Sequence, residues 1–199
     1  MDSPPPAEPY VLADHPALDL LNTVALINGT ACDYFQSDAD VLRWLARMGV
    51  PACVEAGALE EGEVLRSART LREVVRTLVI RRKAGEAGNY AALNDYLTKC
   101  PSYLQLRAVS ATGLEVERRA AGLTPESLLA PLAEAAAELL AHGDFSLVKH
   151  CEHSDCMLWF YDRTKSHRRR WCSMSLCGNR HKVAEFRKRQ AQVTRTGLD

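Results

Sequence analysis

The chain has 199 residues, of which 47% are hydrophobic and 25% are charged, and its formal net charge at neutral pH is zero. This composition is ordinary for a globular protein, and no run approaches the roughly 18 consecutive apolar residues that a membrane-spanning helix needs. Residues 1–9 are acidic and proline-rich, unlike a signal peptide, so we expect a cytoplasmic protein with one medium domain and one small module.

The zero net charge conceals an asymmetry between two parts of the chain. Residues 1–144 hold 13 Lys and Arg against 20 Asp and Glu, a net charge of −7, whereas residues 145–199 hold 12 against 5, a net charge of +7. We therefore predict a domain boundary between residues 144 and 145. A C-terminal part this basic indicates an anionic partner, and a solvated charged face is the alternative.

Helical periodicity and capping residues predict a mainly helical N-terminal domain over residues 1–144. Apolar residues that alternate with polar ones on both sides of an Ala-Thr-Gly turn also predict a β-hairpin near Tyr103–Arg119. The fold class is therefore α+β. Five helices are predicted. The first covers residues 15–27, the second is capped by Ser37 or Asp38 and ends at Gly49, and the third covers residues 63–83. The fourth begins near Asn89, and the fifth begins at Thr124-Pro125 and ends at Gly143.

Four of the seven cysteines form two pairs with equal spacing. Cys151 and Cys156 have four residues between them, and after 15 intervening residues Cys172 and Cys177 repeat that spacing. Two close pairs of thiolates can supply the four ligands of a tetrahedral zinc ion, and such a closed shell leaves no position for a reacting water. Disulfides conflict with the expected cytoplasmic location, and a redox dithiol more usually has two intervening residues. We predict one structural zinc per chain, with a nearby histidine in place of one cysteine as the alternative: His150, His153, His167 or His181.

The residues around these cysteines predict a small treble-clef-like module over residues 145–199. Met157–Tyr161 suits a strand, Arg168–Trp171 suits its return strand, and Asn179–Gln190 suits a helix with Val183 and Phe186 on its buried side. So few apolar residues cannot hold a fold without the metal. The aromatic residues of the module fit its core better than a surface on which bases stack.

Ten basic side chains of the module are candidates for contacts with nucleic acid. Neutralising phosphates releases counterions, and arginine can also bind phosphate or guanine with two hydrogen bonds. Nucleic acid is therefore the favoured partner, and the rival hypothesis is a protein-interaction module whose basic surface meets an acidic protein. The candidates are Arg163, Lys165, Arg168, Arg169, Arg170, Arg180, Lys182, Arg187, Lys188 and Arg189.

Asp19 and Asn22 are candidates for a ligand pocket in the N-terminal domain. They lie three residues apart and share a face of the first predicted helix. Such residues more often brace neighbouring loops, and no nucleophile, phosphate loop or metal–water motif accompanies them, so we do not expect an enzyme. The sequence leaves open a small-molecule effector of this domain and a homo-oligomer.

Two strings of residues resemble known families. Arg170-Trp171-Cys172-Ser173-Met174, followed by Cys177-Gly178-Asn179-Arg180, resembles the CGNR zinc finger, and the upstream cysteines and Tyr161-Asp162-Arg163 fit it as well. Ala17-Leu18-Asp19-Leu20-Leu21-Asn22-Thr23, with Trp44-Leu45 downstream, is similar to the ABATE domain that precedes this finger in bacterial proteins. The resemblance implies a stress-related transcriptional regulator whose finger binds DNA. Met157 departs from it, because a small residue is expected after the second cysteine.

Overall fold

The computed structural model describes residues 8–50, 59–99, 102–120, 122 and 124–196. These residues form two compact units, one from the described residues of Met1–Asp33 and Phe145–Asp199 and the other from Tyr34–Asp144. The described residues contain helices and three separate two-stranded antiparallel sheets, which agrees with the predicted α+β class. Within the part of the chain that is described, no helix is long and apolar enough to cross a membrane.

The first unit begins with a short helix and a β-hairpin. Helix α1 spans Pro16–Leu21, and strand β1 (Val24–Ile27) pairs antiparallel with β2 (Thr30–Asp33). The helix predicted over residues 15–27 is therefore wrong beyond Leu21. Asn28 and Gly29 both have positive φ, 51° and 80°, which is the conformation of the tight hairpin turn that an Asn-Gly pair favours. This turn overrides the helical periodicity of the preceding apolar residues.

The C-terminal part of the same unit carries the cysteines. Strand β5 (Val148–His150) pairs antiparallel with β6 (Trp159–Tyr161), a π-helical turn spans Met174–Gly178, and helix α6 spans Asn179–Thr196. The predicted helix from Asn179 is confirmed and is longer than expected. The predicted return strand over residues 168–171 is wrong: these residues form no strand, and β6 pairs with β5 instead.

The second unit is helical with one hairpin, and it contains most of the predicted elements. Its elements are α2 (Asp38–Arg47), α3 (Glu63–Lys83), α4 (Ala91–Thr98), β3 (Ser102–Ala108) paired with β4 (Leu114–Ala120), and α5 (Pro125–His142). Helix α3 matches its predicted bounds, and the side chains of Ser37 and Thr124 cap α2 and α5 as expected.

The core of the second unit lies where α3 packs against α5 and α4. Helix α3 buries one residue of nearly every turn, which is the apolar stripe that its sequence predicts. Its buried apolar residues include Val64, Ala68, Leu71, Val75 and Leu78. On α5 the buried residues include Leu129, Leu132, Ala136 and Leu139. The stripe buries several large aliphatic side chains, each worth about 1.5–3 kcal/mol of transfer free energy.

Candidate metal centre and its basic surroundings

The four predicted cysteine ligands converge in the first unit. Cys151 and Cys156 lie in the turn between β5 and β6, Cys172 precedes the π-helical turn, and Cys177 lies within that turn. Their four Sγ atoms all lie within 4.8 Å of one another, and the group that they form contains no histidine among the described residues. The Sγ atoms of Cys156 and Cys172 are 3.8 Å apart, and those of Cys172 and Cys177 are 3.6 Å apart.

These distances fit a zinc ion. Zn–S bonds of about 2.3 Å in a tetrahedron require sulfur atoms about 3.8 Å apart, close to the 3.8 Å between Cys156 and Cys172 and the 3.6 Å between Cys172 and Cys177. Cys151, Cys172 and Cys177 are buried and Cys156 is half-buried, so solvent has little access to the centre. Four thiolates fill the zinc shell and leave no position for a reacting water, so the metal has a structural role. The prediction of one structural zinc is confirmed.

Backbone hydrogen bonds fix the positions of the cysteines. The Cys151 N–H donates to the Leu158 carbonyl at 2.9 Å, and the Cys156 N–H donates to the His153 carbonyl at 3.1 Å, which closes the turn that carries the first pair. The Cys172 N–H donates to Cys151 Sγ at 3.3 Å and so links the two pairs. The π-helical turn places Cys177 at the start of α6, and its N–H donates to the Ser173 carbonyl.

Asp162 organises the loop between β6 and Cys172. Its side chain is fully buried; Oδ2 accepts from Lys149 Nζ at 2.7 Å and from the Arg169 N–H at 2.8 Å. Oδ1 accepts from the N–H and the hydroxyl of Thr164 at 3.1 and 2.6 Å. Burial by itself would raise the pKa of Asp162, but Lys149 and the other donors hold this pKa well below its ordinary value. The loop is therefore shaped by a buried ionised carboxylate, a role that the sequence analysis missed.

Asp19 and Asn22, the predicted pocket residues, make hydrogen bonds inside the first unit. Asp19 Oδ1 accepts from the N–H groups of Leu12 and Ala13 at 2.8 and 2.9 Å. The Asn22 amide accepts from the Trp159 N–H at 2.8 Å and donates to the Trp159 carbonyl at 2.9 Å. Burial raises the pKa of Asp19 to about 6, although the two N–H donors oppose this effect. A ligand at these residues stays a prediction.

The ten predicted basic residues fall into three groups, according to their exposure and their hydrogen-bond partners. Arg169 is mostly enclosed: its guanidinium bonds to Asp14 and to the carbonyls of Leu12, Trp171 and Cys172. Some of the exposed residues also have partners, since Arg163 bonds to the Asp14 carbonyl, Arg170 to Glu152, and Lys188 and Arg189 to Glu185. The others are exposed and make no hydrogen bond or ion pair with the described residues: Lys165, Arg168, Arg180, Lys182 and Arg187.

The apolar residues of the finger divide between core and surface. Trp159 and Phe160 are buried, as the sequence predicts, and Trp171 is half-buried between the guanidinium of Arg170 and the ring of His181. The prediction that Val183 and Phe186 face a core is wrong, because their side chains are 48% and 58% exposed. Helix α6 meets the π-helical turn at its start, and in the described part of the chain no layer covers these two side chains.

Comparison with protein families gives two matches along the chain. The ABATE family model, described as "Putative stress-induced transcription regulator", matches residues 14–143. The model of the CGNR zinc finger matches residues 148–190, which include all four cysteines. Neither description is that of an enzyme family. No curated protein matches the chain.

Proposed function

The chain belongs to the ABATE family of transcription regulators and ends in a CGNR zinc finger, and we propose that this finger binds DNA. The family matches support regulation at the level of the family. DNA as the partner, and the residues that contact it, are our proposal. In this proposal the zinc holds the finger together, and exposed cations beside it contact the phosphates.

The observation that carries the proposal is a set of exposed cations that make no hydrogen bond or ion pair with the residues that the structure describes. Lys165 and Arg168 extend from the loop that Asp162 organises, and Lys182 and Arg187 extend from α6. Cations that make no ion pair inside the protein can contact phosphate without first breaking one. Arg169 does not belong to this surface, because its hydrogen bonds lie within the unit. Replacing residues 168–170 together would therefore disturb the fold as well as the surface.

The test is the salt dependence of DNA binding by the full chain. The double variant Lys182→Ala/Arg187→Ala should bind duplex DNA more weakly at every sequence, and the slope of log K against log [salt] should fall by about 2, since each phosphate contact contributes about 0.9. Alanine suits both helical positions. The control is Arg43→Ala/Arg66→Ala, which makes the same charge change at exposed positions of α2 and α3. Equal slopes for the two double variants would refute these contacts.

A second measurement asks whether the binding is specific. Selection from a random duplex library with the full chain should enrich one sequence motif if the protein is a DNA-binding regulator. If all duplexes were retained equally, only the electrostatic component of binding would remain, and that component carries no sequence information. That result would contradict the proposed role at defined DNA sites.

A protein-interaction module is the second candidate, and one observation favours it. Met174, Val183 and Phe186 are all about half exposed on the π-helical turn and α6, among the same cations. Exposed apolar side chains of this size are common where another protein binds. Phe186→Ser should leave the salt slope of DNA binding unchanged under our proposal. A variant that retains DNA binding but loses a protein partner would support this second function.

A further inference from the structure

We propose that residues 12–22, which we term the N-terminal segment, complete the zinc module, and that Asn22 and Arg169 are positioning residues that raise its zinc affinity. This inference does not depend on DNA binding. The ABATE match ends at residue 143 and the match to the zinc finger begins at residue 148, which would make the finger a separate C-terminal module. The structure instead places α1 against β6 in one compact unit.

The first line of evidence is the outer edge of β6. One edge of this strand pairs with β5, and an unpaired opposite edge would expose backbone groups. Both backbone groups of Trp159 on that edge bond to the Asn22 side chain, at 2.8 and 2.9 Å. The Tyr161 N–H donates to the Ala13 carbonyl at 2.7 Å. The N-terminal segment therefore takes the place of a third strand.

The second line of evidence is the guanidinium of Arg169. It donates to the Leu12 carbonyl at 2.8 Å and pairs with the Asp14 carboxylate, so it binds the N-terminal segment at two points. The same guanidinium donates to the carbonyls of Trp171 and Cys172, the residues at the start of the second ligand pair. It also lies 4.3 Å from the centre of the Phe160 ring, so its planar face covers the finger core.

These contacts reach the backbone on both sides of the metal centre. Trp159 follows Leu158, whose carbonyl accepts from the Cys151 N–H, and Arg169 holds the carbonyl of Cys172 itself. Without the N-terminal segment, zinc binding would have to order both stretches of backbone by itself. The cost of that ordering would be subtracted from the binding free energy, which lowers the affinity. By thermodynamic linkage, zinc must then stabilise the docked N-terminal segment by the same factor.

The first arm of the test measures zinc affinity by competition with a metal chelator, using the full chain. Asn22→Ala leaves the N–H and carbonyl of Trp159 without their partners, and the affinity should fall about tenfold or more, the range in which residues supporting metal ligands act. Asn94→Ala on α4 is the matched control, because that side chain is exposed. Arg169→Lys keeps the charge but loses the several hydrogen bonds that the guanidinium makes, so the zinc affinity should fall here too. Arg168→Lys is its control, because it makes the same change at the exposed neighbouring position.

The second arm measures the reciprocal effect in the wild-type chain, which needs no variant to fold. Chelation of zinc should raise the hydrogen-exchange rates of the Leu12 and Ala13 amides, which donate to Asp19, by at least tenfold. The amides of α3 in the second unit should keep their rates. Equal zinc affinities for Asn22→Ala and Asn94→Ala would overturn the proposal. So would unchanged exchange at residues 12 and 13, or a loss of protection that extends to α3.

Discussion

Replacement of Asp162 by asparagine is the sharpest test of how the finger loop is held. In the wild-type protein, Oδ2 accepts from the Lys149 ammonium and from the Arg169 N–H, while Oδ1 accepts twice from Thr164. An asparagine can keep the two bonds from Thr164 through its single carbonyl oxygen. Its NH₂ group would then face two hydrogen-bond donors where the wild-type protein has an acceptor.

The expected destabilisation is about 2–4 kcal/mol. Removing one partner of a buried ion pair costs about 3–5 kcal/mol, and a hydrogen bond to a charged group is worth about 1.5–3 kcal/mol. Asp162 is fully buried, but the Lys149 side chain is 27% exposed, so water recovers part of the loss. Lys149 also keeps its bond to the His167 carbonyl at 2.7 Å, which lowers the cost further. Both corrections place the estimate below the upper limit for a buried pair.

The assay is the urea dependence of zinc release, followed with a zinc indicator at fixed pH and fixed total zinc. This readout reports on the unit that holds the cysteines. Asp155→Asn is the matched control, since Asp155 lies in the turn between the first two cysteines and its side chain is exposed. Asp162→Asn should release zinc at a clearly lower urea concentration than Asp155→Asn. If the two variants differ by less than about 0.5 kcal/mol, which is the usual effect of a surface change, the reasoning about Asp162 is wrong.

Three further predictions concern the same unit. The pKa of Asp19 is raised to about 6, so its contribution to stability is full below the unfolded pKa of about 3.9 and is lost as the pH rises through 6. Between about pH 5.5 and 8, wild-type stability should fall by about 1 kcal/mol more than that of Asp19→Asn, whose carbonyl keeps both backbone bonds; parallel pH profiles would contradict this. Cys172→Ser should lose the zinc, measured by elemental analysis, while far-UV circular dichroism keeps most of its helical signal, because α3 and α5 lie in the other unit; retention of one zinc equivalent would exclude Cys172 as a ligand. Gly178→Ala should cost less than about 1 kcal/mol in zinc-release experiments, because the new Cβ meets mainly the exposed, flexible end of Met174; loss of the metal would show that the turn cannot adjust.

The sequence predicted those elements whose local signals agree with one another. Helix α3 has an apolar stripe that indicates a helix. Helix α5 has both a capping threonine and a proline at its first position, which indicate where the helix begins. The segment after Leu21 carried two opposed signals, because its apolar residues continue a helical pattern while Asn28 and Gly29 form a tight turn. The turn prevails because both residues adopt positive φ at low cost, and the strands then pair.

The four zinc ligands were predictable because metal chemistry restricts both residue type and spacing. The supporting residues were not, because their partners lie far away in sequence. Asn22 bonds to Trp159 across 137 positions, and Arg169 bonds to Leu12 across 157 positions. In the sequence, Arg169 differs in no visible way from Arg168 and Arg170. Only the fold shows that one residue of this basic run is enclosed while Arg168 is exposed.

The exposure of α6 follows from how the unit obtains its core. The finger's own strands bury few large side chains, and α1 adds Leu18, Leu20 and Leu21 to the same unit. Since α1 supplies this apolar surface, α6 does not have to pack along its length, and its side chains from Lys182 to Gln190 are mostly exposed. The N-terminal segment thus allows α6 to carry exposed cations and Phe186 on a helix anchored at the metal centre.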